Sequence, residues 1–256
     1  MPDVIAPHQP HLHRVVDVMG TVFSIDIRSS DLDIGAVDAV VEWWHWVDAT
    51  FSTYRPSSDI NVLGRGEKRI GELPPEVAEV LSLCTVASER TNGYFNACRD
   101  GELDPSGLVK GWSIEVASRM LVAAGSTAHC LNGGGDVRVI GQPAPGSAWN
   151  VGIADPRSGG VLTVVAGTNL AVATSGSAER GSHIFDPHTG RAVTDPISVT
   201  VVGPDLTWAD VYATAAVAMG SAAPAWLDGV HGYEGIGLTA DGQAWRTAGW
   251  WRYLPV

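Results

Sequence analysis

The chain has 256 residues, 45% hydrophobic and 17% charged, enough to bury a core of its own and to exclude wholesale disorder. A net charge of -12 repels phosphate backbones at long range and argues against general nucleic-acid binding. A single diphosphate is not excluded, because local amides and one or two cations suffice to hold it.

Met1 to Arg14 holds no apolar run and reads as a disordered tail, leaving residues 15–256 as one domain. No segment has the pattern of a signal peptide or the length of a membrane span. Val15 to Arg28 alternates apolar and polar residues and predicts a strand; Ile34 to Phe51 has helical spacing. Trp43, Trp44 and Trp46 on that helix are expected to pack, as aromatic stripes on helices generally do. A second helix starts after Leu73, with Pro74 and Pro75 in its first turn, and stops before Gly93.

A third helix is predicted from Lys110 to Ala124, closed by Gly125. Short β segments follow at Ala128–Ile140, Trp149–Ile153, Val161–Val165, Leu170–Ala173 and Ile197–Val202, with Gly141 to Ala148 as a hairpin loop. A fourth helix spans Trp208 to Met219 with Thr207 as N-cap, and the last strands lie near Gly235–Thr239 and Gln243–Arg246. Helices at the front and strands behind them indicate an α+β fold and not a doubly wound nucleotide fold.

Four patches carry possible chemistry. Asp210 and Thr214 stand one turn apart on one helix face, so a carboxylate and a hydroxyl point together, as magnesium would use; capping by Asp210 is the alternative. The run from Asp104 to Trp112 sets an acid, a glycine turn and Lys110 at a helix entrance, where free amides attract phosphate; a plain Asp-Pro turn with an exposed lysine is the alternative. Of the 16 basic residues only Lys68 and Lys110 are lysines. Gly133, Gly134 and Gly135 before Asp136 permit close backbone approach to a ligand or a simple hairpin turn. His183, ahead of Phe185 and an Asp-Pro turn, offers a proton acceptor near neutral pH; a lone histidine without a role is the alternative.

The other seven histidines show no zinc spacing and read as surface or tail residues. Neither a GxSxG elbow nor a GxGxxG opening is present. Cys84, Cys98 and Cys130 form no CxxC pair, which fits reduced thiols in the cytoplasm.

The order of these patches is more specific than any one of them. Met19-Gly20-Thr21, Phe51 to Tyr54, Gly93 to Asn96, Asp104 to Gly111, Gly133 to Asp136, Thr174 to Gly176, His183 to Pro187 with Gly190, Ser198 to Val201 and Ala209 to Thr214 together resemble the FAD:protein FMN transferase family (ApbE-type), from about Met19 to Gly220. The resemblance implies two intertwined α/β lobes with largely antiparallel sheets and flanking helices, and FAD as substrate in the cleft between them. It implies Mg2+ held by Asp210, Thr214 and the main-chain carbonyl of Gly107. Met19, Tyr54, Asp104, Lys110 and Phe185 then contact FAD, and His183 lies next to the reaction, with His183 or Asp210 taking the proton. FMN would pass to a Ser or Thr hydroxyl of an acceptor flavoprotein, with release of AMP. An Mg2+-dependent FAD pyrophosphatase and a non-catalytic FAD-binding protein are the alternatives. The chain departs from the family at Asn96 and Glu115, where Asp is usual, in the short interval between Phe95 and Asp104, and as a short form without the export leader.

Overall fold

The computed structural model describes residues 11–30, 32–99, 101–176 and 185–255. The first ten residues of the expected tail and His183 lie outside the described residues.

Eight strands form one sheet. They are β1 (Leu12–Val18), β2 (Thr21–Ile27), β5 (His129–Gly133), β6 (Asp136–Ile140), β9 (Asn169–Gly176), β12 (Ser198–Gly203), β13 (Glu234–Leu238) and β14 (Ala244–Arg246), adjacent in that order. Every neighbouring pair is antiparallel. Two-stranded ribbons are made by β3 (Cys98–Arg99) with β4 (Glu102–Leu103), β7 (Trp149–Ala154) with β8 (Val161–Gly167), and β10 (Phe185–Asp186) with β11 (Arg191–Ala192). The helices are α1 (Ile34–Phe51), α2 (Asp59–Gly64), α3 (Pro75–Arg90), α4 (Ser106–Ala123), α5 (Leu206–Met219) and α6 (Ala223–Leu227).

The middle of the sheet is buried on both faces, and its alternation divides the apolar residues between two clusters. Ala171 and Ala173 of β9 join Val199 and Val201 of β12 under the helices, while Leu170, Val172 and Val202 face the other way against Trp149, Val151 and Ile153 of β7 and Trp250. Helices therefore cover one face and the β7–β8 ribbon part of the other. Helix α1 contributes Val37, Val40, Trp44, Val47 and Phe51, spaced by three or four residues, so its expected amphipathic packing is what the structure shows. Helix α5 is different: it is buried all round, and alanines at 209, 213, 215, 216 and 218 let it lie close between α4 and the sheet.

Several boundaries differ from the periodicity. The predicted strand Val15–Arg28 is the hairpin β1–β2, beginning at Leu12 and turning at Met19-Gly20, both with positive φ (53° and 71°). Ala128–Ile140 is likewise a hairpin, turning at Gly134-Gly135. The predicted hairpin loop Gly141–Ala148 instead leaves the main sheet for the separate β7–β8 ribbon. The N-cap of α5 is Asp205, whose side chain accepts from the Trp208 amide, because the helix starts before Thr207 and buries it.

His129 corrects the reading of the remaining histidines as surface or tail residues. It shares the inward face of β5 with Leu131 and is fully buried, with Nε2 2.8 Å from Ser118 Oγ and Nδ1 3.0 Å from Ser126 Oγ. Burial, aided by the charge of Arg138, holds its pKa down to about 4 from 6.5. The unfolded chain thus binds the extra proton first, and stability is lost as pH falls from 6.5 through about 4. The contribution is on the order of 3 kcal/mol. Urea unfolding at pH 7 and pH 4 should show a pH-dependent loss in the wild-type chain that is smaller by about this amount in His129→Asn; equal losses would contradict it.

Candidate functional site

The β1–β2 turn, the C-terminal end of α1 and the first turns of α4 enclose a cleft of about 310 Å³. Met19 and Gly20 form one wall; Phe51 to Arg55 form a second; Ser106, Val109 and Lys110 close the inner end. A methionine at φ 53° is in a conformation that L-residues adopt at a cost of roughly 1 kcal/mol, and such strain collects at binding sites. Tyr54 stands at the mouth, 90% exposed. Beside it Arg55 is ion-paired with Asp48, another lining residue. Phe51 and Tyr54 are the aromatic residues among the lining, and Phe51 in turn lies edge-on to Trp112 at 5.6 Å, outside the lining.

Lys110 links this cleft to a buried polar cluster. Helix α4 begins at Ser106, so Lys110 sits in its second turn and not at the helix entrance. Its ammonium donates to Asp136 Oδ2 and lies 3.9 Å from Asp210 Oδ2. Asp136 follows the glycine turn on β6 and also accepts from the Thr174 amide at 3.1 Å. Asp210 accepts from the Gly111 amide at 3.0 Å. Both carboxylates are almost fully buried. Burial raises the Asp210 pKa to about 7, with the Lys110 charge opposing and the neighbouring Asp136 reinforcing the rise. Thr214, one turn beyond Asp210, exchanges a hydrogen bond with Ser175 Oγ at 3.0 Å.

The approach of α4 to α5 explains the position of Gly111. A Cβ there would lie 2.6 Å from the Leu206 carbonyl oxygen and 2.7 Å from Asp210 Cβ. At Gly107, one turn earlier, a Cβ would be 3.7 Å from Thr214 Cγ2 and 4.0 Å from its hydroxyl. Gly107, Lys110, Asp210 and Thr214 are therefore brought together, and Met19, Tyr54 and Lys110 share the cleft.

Two other expected contacts are placed differently. The Asp104 carboxylate accepts from the Ser106 amide at 3.0 Å, so it occupies the helix entrance that the sequence reading offers to a phosphate. Phe185 lies on the β10–β11 ribbon, paired with Ala192, and is not among the residues lining the cleft. Asp136 is the residue that sequence reasoning missed; the signal was its place directly after three glycines, where a tight hairpin aims the next side chain back at the turn. Among the described residues, no cluster of three or more His, Cys, Asp or Glu is arranged to hold a metal.

Replacing Gly111 by Ala should force α4 and α5 apart and cost about 1–3 kcal/mol, the usual range for overpacking a dense core. Chemical denaturation measures this directly, and a variant as stable as wild type would contradict the contact.

A sequence model described as the ApbE family matches residues 19–99 and 97–236. The chain is 32% identical over 129 residues to an FAD:protein FMN transferase of Vibrio cholerae serotype O1, covering 46% of this chain and 39% of that protein. It is 36% identical over 123 residues to the protein of the same name from Rhodobacter capsulatus, covering 44% and 23%. The matched region thus spans about two fifths or less of these relatives' own lengths. Among solved structures, the ApbE protein of Thermotoga maritima superposes with TM-score 0.86 at 21% identity, covering 96% of this chain and 100% of that one. The flavin transferase ApbE of Vibrio cholerae gives 0.81 at 19%, with the same coverage of both chains. These likenesses establish the fold.

Proposed function

The chain belongs to the ApbE family, and from that premise we propose that it is an Mg2+-dependent FAD:protein FMN transferase. It takes FAD as substrate, moves the FMN half to a Ser or Thr hydroxyl of an acceptor flavoprotein, and releases AMP. The observation that carries this reading is the position of Lys110, which belongs at once to the open cleft and to the buried carboxylates. A cleft with aromatic rings in its lining suits a flavin or adenine, and a cation at its inner end suits the diphosphate.

The donor chemistry at the inner end fits magnesium. Asp210, Thr214 and the Gly107 carbonyl supply only hard oxygens, and Mg2+ typically takes few protein ligands, keeping water and substrate phosphate for the rest. Two facts support the fit. Among the described residues, the buried carboxylates of Asp136 and Asp210 meet one ammonium at their contact, so a divalent cation would favour the ionised form of Asp210 against burial, which raises its pKa most, and against the neighbouring Asp136. In addition, the Gly111 amide, whose regular helical acceptor is the Gly107 carbonyl, donates to Asp210. A cation bound there would withdraw charge from the diphosphate oxygens and steady the leaving phosphate.

The protein's own groups have separable roles in this reading. Lys110 holds a phosphate oxygen and Asp136 fixes the ammonium. Met19 and Tyr54 flank the ring systems; Asp104 and Phe185, which do not line the cleft, are kept as further FAD contacts on the family resemblance alone. The acceptor oxygen attacks the FMN phosphorus; its new P–O bond replaces the P–O bond to AMP, and AMP departs with that electron pair. Either His183 or Asp210 takes the hydroxyl proton. We place this activity in one domain that takes in Leu12 to Arg14, the start of β1 and not tail as expected, together with residues 15–256. The cytoplasm is its proposed location, since Cys84, Cys98 and Cys130 are free thiols. No helix among the described residues is long and apolar enough to cross a membrane.

Incubation with FAD, Mg2+ and an acceptor domain should produce covalent flavin fluorescence on the acceptor in a denaturing gel. Asp210→Ala should reduce it at least about 100-fold, the scale of several kcal/mol expected when metal-borne charge stabilisation is lost. Free FMN and AMP with an unlabelled acceptor would replace transfer by hydrolysis, and neither product would leave a binding protein only.

A further inference from the structure

A second buried ion pair lies outside the cleft, on the same two elements that carry the first. Glu115 of α4 and Arg138 of β6 have side chains only 7% exposed each, and Glu115 Oε2 is 2.9 Å from Arg138 Nε. The same carboxylate oxygen accepts from the Leu206 amide at 2.8 Å, and Arg138 Nη1 donates to the Val139 carbonyl at 2.9 Å. Leu206 is the first residue of α5. It precedes Asp210 by four residues and Thr214 by eight, so the three share one stripe of the helix.

The two ion pairs run in opposite senses. Helix α4 presents a cation to Asp136 and an anion to Arg138, while β6 presents Asp136 and Arg138 on one face two residues apart, about 7 Å. Sliding α4 along β6 would separate both pairs and bring like charges closer together. The carboxylate that reads this register is also the one that holds the start of α5.

We propose that Glu115 and Arg138 are positioning residues for the site: their contact with the first amide of α5 sets the depth at which Asp210 and Thr214 face Gly107 and Lys110. The inference rests on the assignment of Asp210 and Thr214 as metal ligands. Stability alone does not account for the pair, because a buried ion pair is commonly matched by apolar residues of similar volume. What an apolar replacement cannot supply is an acceptor for the Leu206 amide, which is buried with the helix start.

The test uses Mn2+ binding to the purified chain, read from the loss of the free-ion electron paramagnetic resonance signal, beside thermal unfolding of each variant. The double variant Glu115→Leu/Arg138→Met removes both charges together. It should unfold within a few degrees of wild type but bind Mn2+ about ten-fold or more weakly, as supporting contacts of metal ligands generally do when lost. Glu115→Gln keeps an acceptor for the Leu206 amide and strands the Arg138 charge. It should unfold at lower temperature yet, below its midpoint, hold Mn2+ within about three-fold of wild type. Should the double variant fail to fold, the Gln variant alone still decides. Affinity that tracks stability, with the double variant binding like wild type or the Gln variant losing Mn2+, would overturn the inference. Wild-type binding that Asp210→Ala leaves unchanged would instead overturn the metal assignment on which it rests.

Discussion

The site depends on one close contact between helices. At Gly111, α4 comes so near α5 that a methyl group would strike the Leu206 carbonyl and the Asp210 side chain, and in the space a glycine leaves the Asp210 carboxylate reaches the Gly111 amide. That hydrogen bond ties the metal-type donors of one helix to the lysine-bearing turn of the other. Gly107 and Thr214 come into register as a consequence, one turn along each helix. The alanine-rich sequence of α5 serves the same end, since larger side chains would hold it away from both α4 and the sheet.

Electrostatics gives this contact its chemical character. Burial raises the Asp210 pKa to about 7, the adjacent Asp136 adds to the rise, and the Lys110 ammonium between the two carboxylates opposes it. A cluster optimised for stability alone would not hold two carboxylates this way. On the proposed function a divalent ion would supply positive charge to this cluster. The cleft contributes apolar and aromatic lining at Met19, Val47, Phe51 and Tyr54, and Lys110 belongs both to it and to the carboxylate cluster.

Much of this was legible in the sequence because it depends on short-range periodicity. The i, i+4 spacing put Asp210 and Thr214 on one helix face, and the stripe in α1 marked Trp44 as core. What the spacing could not reveal was long-range. Asp205 and not Asp210 caps the helix, and the partner of Asp210 comes from α4, 99 residues away in sequence, which supplies the Gly111 amide. The hairpins were merged into single strands because Met19 and the glycines at 134 and 135 sit inside continuous apolar alternation. Asp136 ends the glycine motif in the sequence without a role of its own, and only the pairing of β6 with its neighbours places it against Lys110. Asp104 and Lys110 were both expected at the helix entrance; α4 starts at Ser106, so Asp104 stays there, accepting from the Ser106 amide, and Lys110 lies one turn inward. The pairing of Glu115 with Arg138 had no short-range signal at all.

The central claim is that a single divalent ion sits between α4 and α5. Anomalous scattering from crystals grown with FAD and Mn2+ tests it most directly. The account predicts one strong peak within about 2.5 Å of an Asp210 carboxylate oxygen, the Thr214 hydroxyl and the Gly107 carbonyl, bridging to the diphosphate. Density for FAD in the cleft with the manganese peak elsewhere, or with Asp210 still bonded only to Gly111 and Lys110, would contradict it.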